Sequence, residues 1–288
     1  MPWASDAPAA TRAAQRVSVA AGLLTHRARM LPGFLIVGAQ RSGTTSMYRT
    51  LSQHPAVLKA VLHKGVHYFD VQYERERSWY QAHFPLKAHA HRVRRRTGVS
   101  PVTFESSPYY MFHPLAGERI ARDLPGVRLL VLLRDPVARA NSAYAHELSR
   151  GFENESFERA LELEDARLDG EVDRIVSDVR YVSHSHQHHA YRRRGQYIEQ
   201  LERLEAQVGR ERIHVVDSGD FFAAPERVYD AVLAFLELPH LGYPVFERHN
   251  AESRPPMSES TRSWLDAHFA PFDARLEEWL GHAPSWRR

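Results

Sequence analysis

The sequence predicts an α/β fold of three layers, a central parallel sheet flanked by helices. Two observations carry that expectation. Phe34-Leu-Ile-Val37, Arg128-Leu-Leu-Val-Leu-Leu-Arg134 and Ile213-His-Val-Val216 are short apolar runs of the kind that forms strands buried on both faces, and helical stretches separate them. The first two runs end in turn chemistry that opens a helix, Gly38 to Thr45 after one and Asp135-Pro136 after the other. That order suits a parallel sheet with a ligand at the carboxyl ends of its strands.

The elements follow in order. Met1 to Met30 contains Val17 to Leu24, an apolar patch too short to span a bilayer and flanked by charge. It lacks the long apolar core and small-residue cleavage site of a signal peptide. Residues 1–32 are therefore expected to form an amphipathic arm on a single domain of residues 33–288. After strand 34–37 and its loop, a helix is expected over Ser46–Gln53, ended by His54-Pro55. A short strand at Val57–Val61 precedes Lys64-Gly-Val-His-Tyr-Phe-Asp70, a helical segment at Trp79–Phe84, and a loop over Lys87–Ser100. Strand Val102–Glu105 runs into Ser106-Ser-Pro-Tyr-Tyr110, and helix Pro114–Asp123 is closed by Pro125-Gly126. Helices are expected from Pro136 to Arg150, Ser156 to Arg167, about Gln187 to Val208, and Pro225 to Leu236. The tail Ser258–Leu280 is expected to be helical, with Thr261, Trp264, Leu265 and Phe269 as its apolar stripe.

Composition narrows the function. With 288 residues, 43% apolar and 25% charged, the chain has the make-up of a soluble globular protein with one substantial core. Cysteine is absent, which excludes disulfides and thiol chemistry and permits the cytoplasmic location expected here. The net charge of +3 is modest, with basic runs at Lys87–Arg96 and Arg192–Arg194. Nucleic-acid binding calls for a stronger excess with interleaved aromatics, so no nucleic-acid partner is expected. The runs read as solvated surface or as charges that guide an acidic acceptor or nucleotide. His184-Ser-His-Gln-His-His189 invites a zinc reading, but no Cys or HExxH supports it. It reads better as a polar helix start near a nucleotide's base, and no metal is expected.

Two anion cradles stand out. Gly38-x4-Gly43 has the spacing of a nucleotide-triphosphatase phosphate loop, yet Thr44 stands where Lys is expected. Without that Lys, Arg41 and two threonines suit a shorter anionic chain handled without an obligatory metal. Arg134 and Ser142 occupy the equivalent strand-to-helix position after the second run and suit a second, separate anion, although Arg134 could equally pair with a carboxylate.

These motifs resemble those of the sulfotransferases that use 3′-phosphoadenylyl sulfate (PAPS). Gly38-Ala-Gln-Arg-Ser-Gly-Thr-Thr-Ser46 is similar to their 5′-phosphosulfate loop, and Arg134-Asp-Pro-Val-Ala-Arg-Ala-Asn-Ser-Ala-Tyr144 to their 3′-phosphate motif. Lys64 to Asp70, Glu105-Ser-Ser-Pro-Tyr109, Arg194-Gly-Gln-Tyr197 and Arg254-Pro-Pro-Met-Ser258 are similar to signatures of the heparan-sulfate-type and bacterial branch. The resemblance implies a P-loop-like fold. It assigns Arg41, Ser42, Gly43, Thr44, Thr45 and Ser46 to the 5′-phosphosulfate, and Arg134 and Ser142 to the 3′-phosphate. Tyr197 and Arg254 would close over the nucleotide, with 3′-phosphoadenosine 5′-phosphate (PAP) as product and no metal required.

The chain departs from that branch at Gly65, where the branch carries a Glu regarded as the base, and at Arg41, where Lys is common. His67 is then the candidate base, since its pKa naturally lies near working pH; its alternative is a hydrogen-bonding role in the motif. Lys64 would neutralise the leaving phosphate, and Glu105 would orient His67, bind the acceptor, serve as a second base or pair with Arg41. The expected reaction is in-line sulfuryl transfer to a hydroxyl, with an amine second, of a carbohydrate, glycolipid or secondary metabolite. The alternatives are a small-molecule kinase with Asp135 as metal carboxylate and a catalytically inactive nucleotide-binding relative. The acceptor and the oligomeric state are not legible.

Overall fold

The computed structural model describes residues 9–247 and 257–288. Helix α1 (Ala9–Leu24) precedes β1 (Phe34–Gly38), α2 (Thr44–Leu51) and β2 (Val57–Lys59). Then come α3 (Tyr68–Val71), α4 (Arg77–Gln81), α5 (Lys87–Thr97), β3 (Val102–Ser106), α6 (Ala116–Asp123), β4 (Arg128–Leu133) and α7 (Pro136–Ser149). The remainder runs α8 (Phe157–Leu168), α9 (Glu171–Ser177), α10 (His184–His188), α11 (Tyr197–Val208), β5 (Ile213–Asp217), α12 (Ser218–Ala223), α13 (Pro225–Phe235) and α14 (Glu259–Leu280).

The strands form a parallel sheet in the order β2-β3-β1-β4-β5, with helices on both faces, as expected. Alternation along β1 explains the layering. Leu35 and Val37 join a core with Leu129, Val131 and the α11 residues Ile198, Leu201 and Leu204. Phe34 and Ile36 face the other way, onto Met47 and Leu51 of α2 and Val232 and Leu233 of α13. A third cluster ties α7 and α8 to Leu265 and Phe269 of α14. Strand β1 lies at the centre, and chain direction across the sheet reverses around it, which leaves a crevice at its carboxyl end.

Several expectations need correction. Lys87–Ser100 is not a loop, because residues 87–97 form α5. The segment has no apolar stripe, and only Ala90, Val93 and Thr97 are partly covered, at positions i, i+3 and i+7. Its Ala, Arg and Lys content is nevertheless strongly helix-forming, and Gly98 ends it in a left-handed cap. The helix expected over Gln187–Val208 is broken. The backbone N–H groups of Arg192 and Arg193 donate to the buried Glu164 carboxylate at 2.7 and 2.8 Å, diverting them from any helical ladder. In the Lys64–Asp70 motif His67 takes a left-handed conformation and α3 starts at Tyr68. Trp264 is 48% exposed and leaves the stripe of α14 to Thr261, Leu265 and Phe269.

Candidate active site

The first cradle grows out of β1. Beyond Gly38 the backbone passes through positive φ at Arg41 (67°) and Gly43 (86°), and α2 begins at Thr44. Closely spaced left-handed residues turn successive N–H groups toward one point, and the helix dipole adds positive potential there. The cap position of α2 is Gly43, which has no side chain to bond the first N–H groups of the helix beside the loop. Gly43 is needed for its dihedral, since a Cβ there would meet the Phe222 ring only in ordinary contact at 3.4 Å. The Ser218 hydroxyl donates to the Ser42 carbonyl at 2.5 Å and pins the loop to α12. The side chains of Ser42, Thr44 and Ser46 are buried.

Lys64 enters this cradle from the loop after β2, and its ammonium donates to Thr45 Oγ1 at 2.7 Å. Burial, with Arg49 and Arg41 close by, pushes the ammonium down to about 8. A lysine crowded by cations in a desolvated place gains most when an anion arrives.

The second cradle meets the first directly. Arg41 Nε donates to Ser142 Oγ at 3.1 Å, and Arg134 Nη1 donates to the Arg41 carbonyl at 3.4 Å. Asp135 caps α7 by accepting from the Val137 N–H at 2.9 Å, with Pro136 next to it. That carboxylate is engaged as a helix cap. Tyr197 donates to the Arg134 carbonyl at 2.8 Å, so it braces the strand end from within the core. Arg254 lies outside the described residues.

His67 is held by two carboxylates in different ways. Its Nδ1 donates to Asp70 Oδ2 at 2.8 Å, which makes Nε2 the ring nitrogen turned away from that carboxylate. Burial alone lowers the imidazole, but the charge and hydrogen bond of Asp70 outweigh it and raise the pKa above the usual value. Glu105 acts one step back. Its carboxylate is fully buried and accepts from the Val66 N–H at 2.9 Å, Ser107 Oγ at 2.6 Å and Tyr110 OH at 2.7 Å. Ser107 Oγ in turn accepts from the His67 N–H at 3.0 Å. Glu105 therefore orients the His67 loop and has no face toward an acceptor or toward Arg41. Gly65 fits the same packing, since a Cβ there would sit 2.4 Å from the Ser106 carbonyl oxygen and 2.8 Å from Ser107 Oγ.

A cleft opens beside His67, bounded by Gln40, Tyr109, Glu147, Arg150, His188 and Arg194. Glu147 binds His188 Nδ1 at 2.9 Å and accepts from Gln40 Nε2 at 3.3 Å. Burial raises that carboxyl, yet the His188 bond and charge outweigh it and hold it below the usual carboxylate range. Arg194 is buried and donates to Gln40 Oε1 and to the carbonyls of His186 and Gln187. Two imidazoles, each backed by a carboxylate, thus border one cleft next to the phosphate loop. Among the described residues no cluster of three or more His, Asp or Glu could hold a metal ion.

Comparison with known proteins decides what this arrangement is. A sulfotransferase domain matches residues 31–252, spanning both cradles, the His67 loop and the cleft. The chain belongs to the sulfotransferase family. A crystal structure of a sulfotransferase from Alicyclobacillus acidocaldarius shares the fold with a TM-score of 0.67 at 29% identity, over 90% of this chain and 100% of that one. The membrane-associated sulfotransferase kil1 of Dictyostelium discoideum is 24% identical over 89% of this chain and 67% of its own. Human heparan sulfate glucosamine 3-O-sulfotransferase 6 is 36% identical over 42% of this sulfotransferase, which there spans only 32% of the relative's length. The bifunctional human heparan sulfate N-deacetylase/N-sulfotransferase 3 is matched over 31% of its length, at 26% identity.

Sequence reasoning located the cradles of this sulfotransferase and missed the far wall of its cleft. Gln40 lay inside the quoted loop with no role, and Glu147 gave no local signal. His188 lay in a cluster that stood out and was read as a polar helix start near a nucleotide's base; α10 does start at His184, and it carries His188 into the cleft beside His67.

Proposed function

We propose that this sulfotransferase takes its sulfuryl group from PAPS and passes it to a hydroxyl, with an amine second, of a carbohydrate, glycolipid or secondary-metabolite acceptor, with PAP as product. The observation that carries this reading is the contact between Arg41 and Ser142, which makes one continuous site of two anion cradles. A donor with a 5′-phosphosulfate and a separate 3′-phosphate has the matching pair of anions. The residues fit such a donor without a metal, since Thr44 replaces the lysine that would reach a longer phosphate chain and Asp135 is engaged as a cap.

The donor supplies an activated sulfur–oxygen bond. Acceptor oxygen attacks sulfur in line as the bond to the 5′-phosphate breaks, and the acceptor proton moves to His67 Nε2. Asp70 stabilises the resulting imidazolium, and Glu105 with Ser107 keeps the ring's loop in register. Lys64 and the α2 N–H groups take up charge that develops on the leaving phosphate. The heparan sulfate named for two of the relatives makes glycans the first acceptors to screen.

Calorimetric titration with PAP, ADP and ATP, with and without Mg²⁺, tests the donor. Tight, metal-independent binding that needs the 3′-phosphate supports the proposal, and a preference for ATP with Mg²⁺ would overturn it in favour of a kinase.

A further inference from the structure

The chain carries a second cationic surface that sulfuryl transfer does not use. Helix α5 bears Lys87, Arg92, Arg94, Arg95 and Arg96, all exposed. No Asp or Glu occurs between Glu76 and Glu105, and none between Asp6 and Asp70. Among the described residues Arg92, Arg94, Arg95 and Arg96 have no carboxylate partner. Lys87 Nζ donates to the Arg27 carbonyl at 3.1 Å, and Arg29 pairs with Leu86 in a β-bridge. These contacts join the start of α5 to the segment that follows α1 and add Arg27 to the patch.

Apolar side chains stand at the Arg27 and Lys87 end of this surface. Leu24 is 90% exposed and Leu23 40% at the end of α1, and Leu86 is 39% exposed at the start of α5. A patch of four to eight Lys or Arg side chains with aliphatic side chains between them suits an anionic bilayer surface, where cations meet headgroups and leucines enter the acyl boundary.

Position argues against an acceptor channel. The last turn of α5, with Arg94, Arg95 and Arg96, ends shortly before Val102 opens β3, at the amino end of the parallel sheet. The phosphate loop leaves the opposite, carboxyl end. A polyanionic acceptor bound on α5 would not be directed at His67.

We infer that the α5 surface, with Arg27, Leu23, Leu24 and Leu86, docks this sulfotransferase peripherally on anionic lipid. The helices need not enter the bilayer deeply, and no helix among the described residues is long and apolar enough to cross it.

Vesicle flotation tests this. The full chain should float with phosphatidylcholine vesicles containing phosphatidylglycerol and stay down with phosphatidylcholine alone, and 0.5 M salt should release most of it. The triple variant R94E/R95E/R96E, and separately the pair L24S/L86S, should each lower partitioning about tenfold or more. Reversing the exposed charges Arg180, Arg227 and Arg262 instead should leave it unchanged. Thermal melts and PAP titration identify any variant that fails to fold and are expected to match the parent. Equal flotation by parent and triple variant, equal loss in the control variant, or retention on immobilised heparin without vesicle binding would each overturn the inference. Because vesicle binding and PAP binding are read separately, failure here leaves the donor proposal standing.

Discussion

Arg41 Nε donates to Ser142 Oγ at 3.1 Å, across 101 positions of sequence. One residue belongs to the loop after β1 and the other to α7. Replacing either with Ala should weaken PAP by about tenfold or more, consistent with losing charge-assisted hydrogen bonds. Their effects should not add, with a coupling of about 0.5–3 kcal/mol in a double-mutant cycle read by calorimetry. Full additivity would mean that the cradles act as two independent sites.

His67→Ala should cut kcat by about 10²–10⁴-fold with little change in PAP affinity, as expected for loss of general-base catalysis. The proposed base works when neutral, so kcat/KM should fall as pH drops through the raised His67 pKa. Asp70→Asn removes the main influence that raises it and leaves burial opposed only by the Glu105 charge, so the acidic limb should move to lower pH. Stability runs the other way. A pKa raised in the folded state contributes stability below the unfolded value, near 6.5, which is lost as pH climbs through the folded one. A pH–rate profile unmoved by Asp70→Asn would remove His67 from the base role.

Lys64 should register the arrival of the donor. Its ammonium, held down to about 8 by burial and by Arg49 and Arg41, should rise when anionic PAP binds. Binding at pH 8–8.5 should therefore take up a fraction of a proton. Calorimetry in buffers of different ionisation enthalpy reads this directly, and Lys64→Met should abolish it.

Gly65 cannot be repaired by restoring a carboxylate. Gly65→Ala forces a Cβ against the Ser106 carbonyl and Ser107 Oγ and should cost about 1–3 kcal/mol, seen as a lowered Tm. Gly65→Glu in the His67→Ala background should recover no turnover. Recovery would show that the loop relaxes to accept a side chain there.

Glu153 offers a test away from the chemistry. Burial opposes its charge, but Arg167 at 2.6 Å, backbone N–H groups and Tyr191 hold it at about 2. A depressed carboxylate contributes stability above its unfolded pKa, near 4.5, and loses it as pH falls toward 2. Glu153→Gln should lower Tm at pH 7 and flatten the acid side of a Tm-against-pH curve.

The central strands β1 and β4 were legible because they are buried by helices on both faces and therefore read as unbroken apolar runs, and the edge strand β5 because Ile213, Val215 and Val216 keep it mostly apolar. Both cradles were legible because backbone geometry there requires Gly43 and favours Pro136, which mark the sequence directly. Helix α5 was not, since it is held by propensity and a glycine cap with almost no buried stripe. The cleft was half legible. His67 belongs to a contiguous motif, whereas Glu147 and His188 meet only after α7, α8 and α9 have turned the chain back on itself. Glu105 was noticed, but its burial among Val66, Ser107, Tyr110 and Tyr80 is a tertiary fact that no local pattern carries.

Helix α7 has one more consequence. It presents Ser142 to Arg41 and, five residues on, Glu147 to His188 and Gln40. At about 1.5 Å of rise per residue these two attachments lie only roughly 7.5 Å apart on one rigid rod. Gln40, in the phosphate loop, also grips the far attachment. A shift in the seating of this one helix would therefore move both attachments together.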